Sequence, residues 1–270
     1  MVTSLAEFVQ KVRPDTTVLF FGAGSSTPSK APTVRQIVEH LSAKFSIPET
    51  DLSLAEMAGY IENKTKDRRA LINQVKSLFA KCRPTGGLLN LPLYPWKSIY
   101  TTNYDTLIEA SYAKKEFDLT VYKSNFDFSS SPRGMATKLY KLHGSIDEDT
   151  SSGDNSRIIL TSSDYKNSSE YRQYLFNALR YDIAESNLII IGYSLSDPEI
   201  REIVSQCTTL NAQSLSAGRI ALFMYERDEF RASLHEANGL EVVFAGIDDF
   251  FSEMARKPPG PLFSPKESEN

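Results

Sequence analysis

Four short stretches hold the side chains able to do chemistry: Gly22-Ala23-Gly24-Ser25-Ser26, Asn103-Tyr104-Asp105, His143-Gly144, and Gly192-Tyr193-Ser194 with Asp197 shortly after. A glycine turn ahead of a helix suits a pyrophosphate, because the backbone can approach closely and the helix-start N–H groups face the charge. Thr27 stands where the third glycine of G-x-G-x-x-G would fall, so a plain strand-to-helix turn competes with a nucleotide loop here. The Asn103 amide donates and accepts at once, which suits aiming a water or a hydroxyl. A residue between strand and helix also suits an N-cap, with Asp105 as a favourable first-turn charge. His143 brings the side-chain type that exchanges a proton near neutral pH. The other two histidines, His40 and His235, fall on helical patterns. Asp197-Pro198 reads as an N-cap with a first-turn proline, while Ser194 and Asp197 also offer contacts to ribose hydroxyls.

These residues act together only if the fold gathers them. Each stretch follows an apolar run of strand type: "TTVLFF", "KSIYTT", "KLYKLHG" and "NLIIIGY". Further strands are predicted at "LTVYKS", "RIILT", "RIALFMY" and "EVVFAG". Helical spacing marks "SLAEFVQKV" and "TVRQIVEHLSAKF", then two helices between Asp51 and Cys82 divided near "NKTKD". It returns at "YDTLIEASYAKK", "SEYRQYLFNALRYDIAES", "DPEIREIVSQCTTL" and "RDEFRASLHEA". The alternation predicts an α/β fold of Rossmann-like type, a mostly parallel sheet with helices on both faces. A helical insertion, about 48–95, follows the first βα unit. In this architecture ligands bind outside the carboxyl ends of the strands, where all four stretches lie. One domain is expected over 1–256, with "SIDEDTSSGDNSR" as a surface loop and 257–270 as a linker or disordered tail.

Composition narrows the function. The chain has 270 residues, 41% hydrophobic and 24% charged, which is ordinary for a globular protein. A net charge of -4 argues against direct nucleic-acid binding, which needs a concentrated basic face. Its two cysteines, Cys82 and Cys207, match no metal-ligand spacing, so no metal is expected and a zinc ribbon with paired Cys-x-x-Cys motifs is excluded. The N-terminus has no secretory pattern and no apolar run reaches membrane-span length, so the expected location is cytoplasmic, without a membrane partner.

Taken in order, "GAGSS", "TTNYD", "KLHGS" and "GYSLSDPEI" resemble the sirtuin-like family, in which NAD lies across a parallel sheet. The resemblance runs from about Val18 to about Ile200. The family's G-A-G-x-S loop, N-x-D triplet and H-G pair correspond to Gly22-Ala23-Gly24, Asn103-Tyr104-Asp105 and His143-Gly144. Two family features are missing: the zinc ribbon, and the G-I-P-D-F-R continuation, replaced by "TPSKAPTVRQIV". The chain looks most like the zinc-free branch found in bacterial anti-phage defence effectors.

That resemblance implies an NAD+ hydrolase, releasing nicotinamide and ADP-ribose and depleting NAD+ in an infected cell. Nicotinamide leaves neutral from a cationic precursor, so the site must stabilise an oxocarbenium-like centre and aim water at it. His143 is then expected as general base and Asn103 as the residue orienting water or ribose. Gly22, Ala23, Gly24, Ser25 and Ser26 would cradle the pyrophosphate; Gly192, Ser194 and Asp197 would face the adenosine half. Asp105 would hold the nicotinamide carboxamide or fix the loop. NAD+ is implied as the substrate, and the partner as a second copy of the chain or another defence protein or domain. The competing functions are an NAD-dependent protein deacylase or ADP-ribosyltransferase, and a non-catalytic sensor or scaffold that binds NAD or ADP-ribose.

Overall fold

A computed structural model describes residues 2–48, 51–130, 136–149, 157–213 and 218–257. Its centre is a seven-stranded sheet of β1 (Thr17–Phe21), β2 (Ser98–Thr101), β3 (Leu119–Tyr122), β4 (Thr137–Lys141), β5 (Asn187–Ile191), β6 (Ile220–Met224) and β7 (Glu241–Phe244). The spatial order is β3-β4-β2-β1-β5-β6-β7, and every neighbouring pair is parallel. Both faces are covered, which explains the unbroken apolar runs. In β1, Leu19 and Phe21 enter one core while Val18 and Phe20 enter the other.

The helices are α1 (Leu5–Gln10), α2 (Val34–Lys44), α3 (Leu54–Thr65), α4 (Arg68–Phe79), α5 (Gly87–Asn90), α6 (Leu107–Lys114), α7 (Asp127–Ser130), α8 (Ser162–Glu185), α9 (Pro198–Asn211), α10 (Glu229–Ala237) and α11 (Ile247–Arg256). Residues of α1, α6 and α11 fill the first core, and those of α8 and α9 fill the second. A third core lies under α2, α3 and α4, joined by Ile146, Ile158 and Leu160. Capping boxes start α2 at Thr33 and α3 at Ser53, and a left-handed Lys66 followed by the Asp67 cap divides α3 from α4. No described helix is long and apolar enough to cross a membrane.

Two sequence expectations change. "RIILT" is no strand: Ile158 and Leu160 pack under the helical layer, and the Ile159 N–H donates to the His143 carbonyl at 3.0 Å. Its apolar character comes from burial outside the sheet. The expected surface loop after Gly144 buries Ser145, Ile146 and the Asp149 carboxylate, while residues 150–156 lie outside the described residues. At the start of the expected tail, the Lys257 ammonium donates to the Val9 and Val12 carbonyls at 3.3 and 2.7 Å. Residues 258–270 lie outside the described residues.

Candidate active site

The chain builds one half of the sheet from β1 through β2 to β4 and β3, then crosses back to β5 on the other side of β1. This reversal leaves a crevice at the carboxyl ends of the central strands. A cleft of about 380 Å³ opens there, its lining including Ser26, Asn103, Asp105, His143, Ser194 and Asp197. Ala23 and Gly192 line it too, and α2, α3 and the end of α4 supply an apolar wall through Ile37, Leu54 and Phe79.

Gly22, Gly24 and Ser25 are not in that lining. The two glycines pack tightly against the loop that follows β5. A Cβ on Gly22 would lie 2.6 Å from the Gly192 carbonyl, and one on Gly24 would lie 2.9 Å from the Gly192 Cα. Gly192 itself has φ +68, and a Cβ there would come within 2.1 Å of the Ser25 nitrogen. The loops after β1 and β5 therefore meet backbone to backbone, joined by Gly22 N–H to the Ile191 carbonyl and Gly24 N–H to the Gly192 carbonyl. The Ser25 hydroxyl is spent on the Gly22 carbonyl at 2.8 Å.

Asn103 does not cap α6. That helix starts at Leu107, and the Leu107 N–H is taken by Asp105 Oδ1 at 3.0 Å. Asn103 instead turns back to the first loop, its Nδ2 donating to the Gly22 carbonyl at 3.1 Å and to Ser26 Oγ at 3.0 Å. Because a carbonyl only accepts, the Gly22 contact fixes which amide atom is nitrogen. The Asn103 Oδ1 has no hydrogen-bond partner among the described residues. The Ser26 hydroxyl passes the chain on, donating to Asp105 Oδ2 at 3.0 Å.

Burial pushes the Asp105 carboxyl above its ordinary value, and Lys141 with the Leu107 and Ser26 hydrogen bonds offsets only part of this. Lys141 is fully buried at the end of β4. Its ammonium donates to the Asp105 carbonyl, to Glu109 at 2.8 Å and to Ser145 Oγ at 2.8 Å, tying the Asn103 loop to the His143 loop.

His143 follows β4 where the Gly144 N–H closes a turn onto the Lys141 carbonyl at 3.0 Å. Its Nε2 lies 3.0 Å from Asp197 Oδ2, with both side chains buried. Asp197 Oδ1 accepts from the Glu199 and Ile200 N–H groups at the start of α9, so Asp197 is a cap and also the histidine's partner. Burial raises its carboxyl, but the His143 hydrogen bond and charge and the two amides outweigh this and hold it below the ordinary value. Among the described residues, no group of three or more His, Cys, Asp or Glu side chains is arranged to hold a metal ion.

Tyr104, Tyr165 and Tyr193 also line the cleft, and sequence reasoning assigns them no role. The Tyr104 hydroxyl donates to the Ile159 carbonyl at 2.7 Å. Tyr165 meets the His143 ring edge-on at 5.6 Å, and burial together with the Asp197 charge pushes its hydroxyl well above the ordinary value. It sits on the first turn of α8, ahead of the helix start expected at Ser169. The signal that could have found it is the capping box of Thr161 and Asp164.

The family model of the SIR2-like domain matches residues 97–243, more than half of the chain, which includes Asn103, His143 and Asp197. The chain is 26% identical over 212 residues to the NAD(+) hydrolase ThsA of Cytobacillus dafuensis, covering 77% of this chain and 41% of that protein. It is 25% identical over 207 residues to the ThsA of Enterococcus faecium, covering 74% and 42%. Against the Defense-associated sirtuin 2 of Bacillus subtilis it is 26% identical over 220 residues, covering 79% and 21%. The chain thus spans about two fifths of the length of the ThsA relatives. A parallel sheet with its cleft at the switch point, an asparagine and a histidine on that cleft, and a family match across both lead to one conclusion: the chain belongs to the SIR2-like family.

Proposed function

We propose that this domain hydrolyses NAD+ at the nicotinamide–ribose bond. Water adds to C1′ as the C1′–N bond breaks; the bonding electron pair leaves with nicotinamide, neutralising its ring, and ADP-ribose and a proton are the other products. The observation that carries the reading is the pairing of Asn103 and His143 on one cleft. Each presents an atom, an amide oxygen and a ring nitrogen, that no described residue engages. Asn103 Oδ1 is suited to accept a hydrogen from the attacking water and so aim its lone pair. His143 is suited to take the proton from that water or from a ribose hydroxyl. Ala23 and Ser26 border the pyrophosphate, with Gly22, Gly24 and Ser25 shaping that wall from behind. Gly192 and Ser194 face the adenosine half. Asp105 fixes the loop, since both its oxygens are engaged within the protein.

The NAD(+) hydrolase and defence-associated relatives support a defence role, and in our reading the domain is an effector that depletes NAD+ in the cytoplasm of an infected cell. Such an activity has to be silent until triggered, which favours control by assembly, with copies of this chain or with a partner defence protein. The test is nicotinamide release by the chain across protein concentrations, with and without an acyl-lysine peptide. Release is expected without peptide, and Asn103→Ala and His143→Ala are each expected to lose about a hundredfold or more while remaining folded. Release that strictly requires the peptide overturns the reading in favour of a deacylase. Undiminished turnover in either variant removes that residue from the mechanism.

A further inference from the structure

The His143–Asp197 contact does more than join two loops. A carboxylate held ionised can only accept, so a neutral His143 facing Asp197 Oδ2 must carry its proton on Nε2. The other ring nitrogen, Nδ1, has no hydrogen-bond partner among the described residues, and the ring borders the cleft. Asp197 Oδ1 is itself held by the Glu199 and Ile200 amides, and the Tyr165 ring meets His143 edge-on. The carboxylate cannot turn toward a ligand without abandoning the α9 cap. Beside the expected contact with a ribose hydroxyl, these bonds point to a role for Asp197 acting through the histidine.

We infer that Asp197 is a positioning residue that fixes the His143 tautomer, leaving Nδ1 as the nitrogen that takes the proton in the cleft. This rests on the NAD+ hydrolase reading for its consequence, though the tautomer itself does not depend on that reading. A cap without this role is the competing account, and the two differ in what Asn and Ser substitutions do. In Asp197→Asn the amide oxygen can still accept from the α9 N–H groups, while Nδ2 donates to His143 Nε2. That forces the ring proton onto Nδ1, where it blocks the base. Asp197→Ser keeps a good cap residue but is too short to hold the ring.

The experiment is nitrogen-15 NMR of histidine-labelled chain, with His143 assigned by loss of its signals in His143→Gln, alongside NAD+ turnover and ADP-ribose binding. The wild-type His143 ring is expected to carry its proton on Nε2, Asp197→Asn to move it to Nδ1, and Asp197→Ser to give a mixture. In both variants kcat is expected to fall about a hundred- to ten-thousandfold with ADP-ribose affinity within about threefold. A wild-type proton on Nδ1 overturns the inference. So does turnover within about threefold of wild type in both variants, or a loss matched by equal loss of ADP-ribose affinity. If the wild-type chain releases no nicotinamide at any protein concentration, including those at which it assembles, the hydrolase reading fails while the ring spectrum still decides the tautomer.

Discussion

Asp105 shows how a single buried charge can serve the site at a cost to stability. Its side chain accepts hydrogen bonds from Ser26 and the Leu107 amide, but the nearby cation, Lys141, reaches only its backbone carbonyl. Burial therefore raises its carboxyl above the ordinary 3.8. The folded chain holds that proton more tightly than the unfolded chain, so this group's contribution to stability falls as pH rises from the ordinary carboxylate value through the folded one. Asp105→Asn removes the term. The stability of the variant relative to wild type is expected to increase between about pH 4 and pH 7, measured by urea unfolding at each pH. An identical difference at both pH values would show that the carboxylate carries no such burden. Nicotinamide release should nevertheless fall, because Ser26 and Asn103 are held through Asp105. This arrangement is half legible in the sequence. An asparagine and an aspartate at a strand end announce a turn, but which of them serves the helix depends on the Gly22 carbonyl 81 residues away.

At the scale of elements, the wall of the cleft depends on a salt-bridge cluster that composition could not reveal. Arg68, on the first turn of α4, reaches Asp149 at 2.8 Å, Asp164 at 3.1 Å and the Ile158 carbonyl at 3.1 Å. It joins the helical layer to the segment behind His143 and to the cap of α8. The Asp149 and Asp164 carboxylates are almost wholly buried, so removing the guanidinium alone leaves them uncompensated. Arg68→Met is expected to cost about 3–5 kcal/mol in urea unfolding. A loss below about 0.5 kcal/mol would mean that water or another cation replaces the arginine. In the chain Arg68 is one of two adjacent arginines opening a helix, and nothing local separates the buried Arg68 from the exposed Arg69. For the same reason "RIILT" reads as a strand, since burial under helices and burial in a sheet select the same residue types. "IDDFFSEMAR" is a helix that sequence reasoning misses, although Ile247, Phe250, Phe251 and Met254 share one face of α11.

Across the whole molecule, seven of the eight predicted strands are present and the parallel architecture is as expected, because strand and helix periods alternate without interruption. What sequence periods do not carry is how the three cores meet, and the cleft lies where they do. Loops after β1, β2, β4 and β5 form its floor, while residues from the third core, Ile37 among them, form its apolar wall. A ligand in the cleft thus touches the sheet and the helical layer at once. If Arg68 and the shared packing make these one cooperative unit, ADP-ribose should raise a single unfolding transition without splitting it. At about a hundred times its dissociation constant the ligand adds about 2.7 kcal/mol to the folded state. For a domain of this size that is a rise in Tm of roughly 5–10 °C. Scanning calorimetry of the chain with and without ADP-ribose measures it. Two transitions, with only the later one shifted, would show that the helical layer melts apart from the sheet and contributes no binding wall. A single transition that moves as a whole would show that the site is assembled by the entire domain.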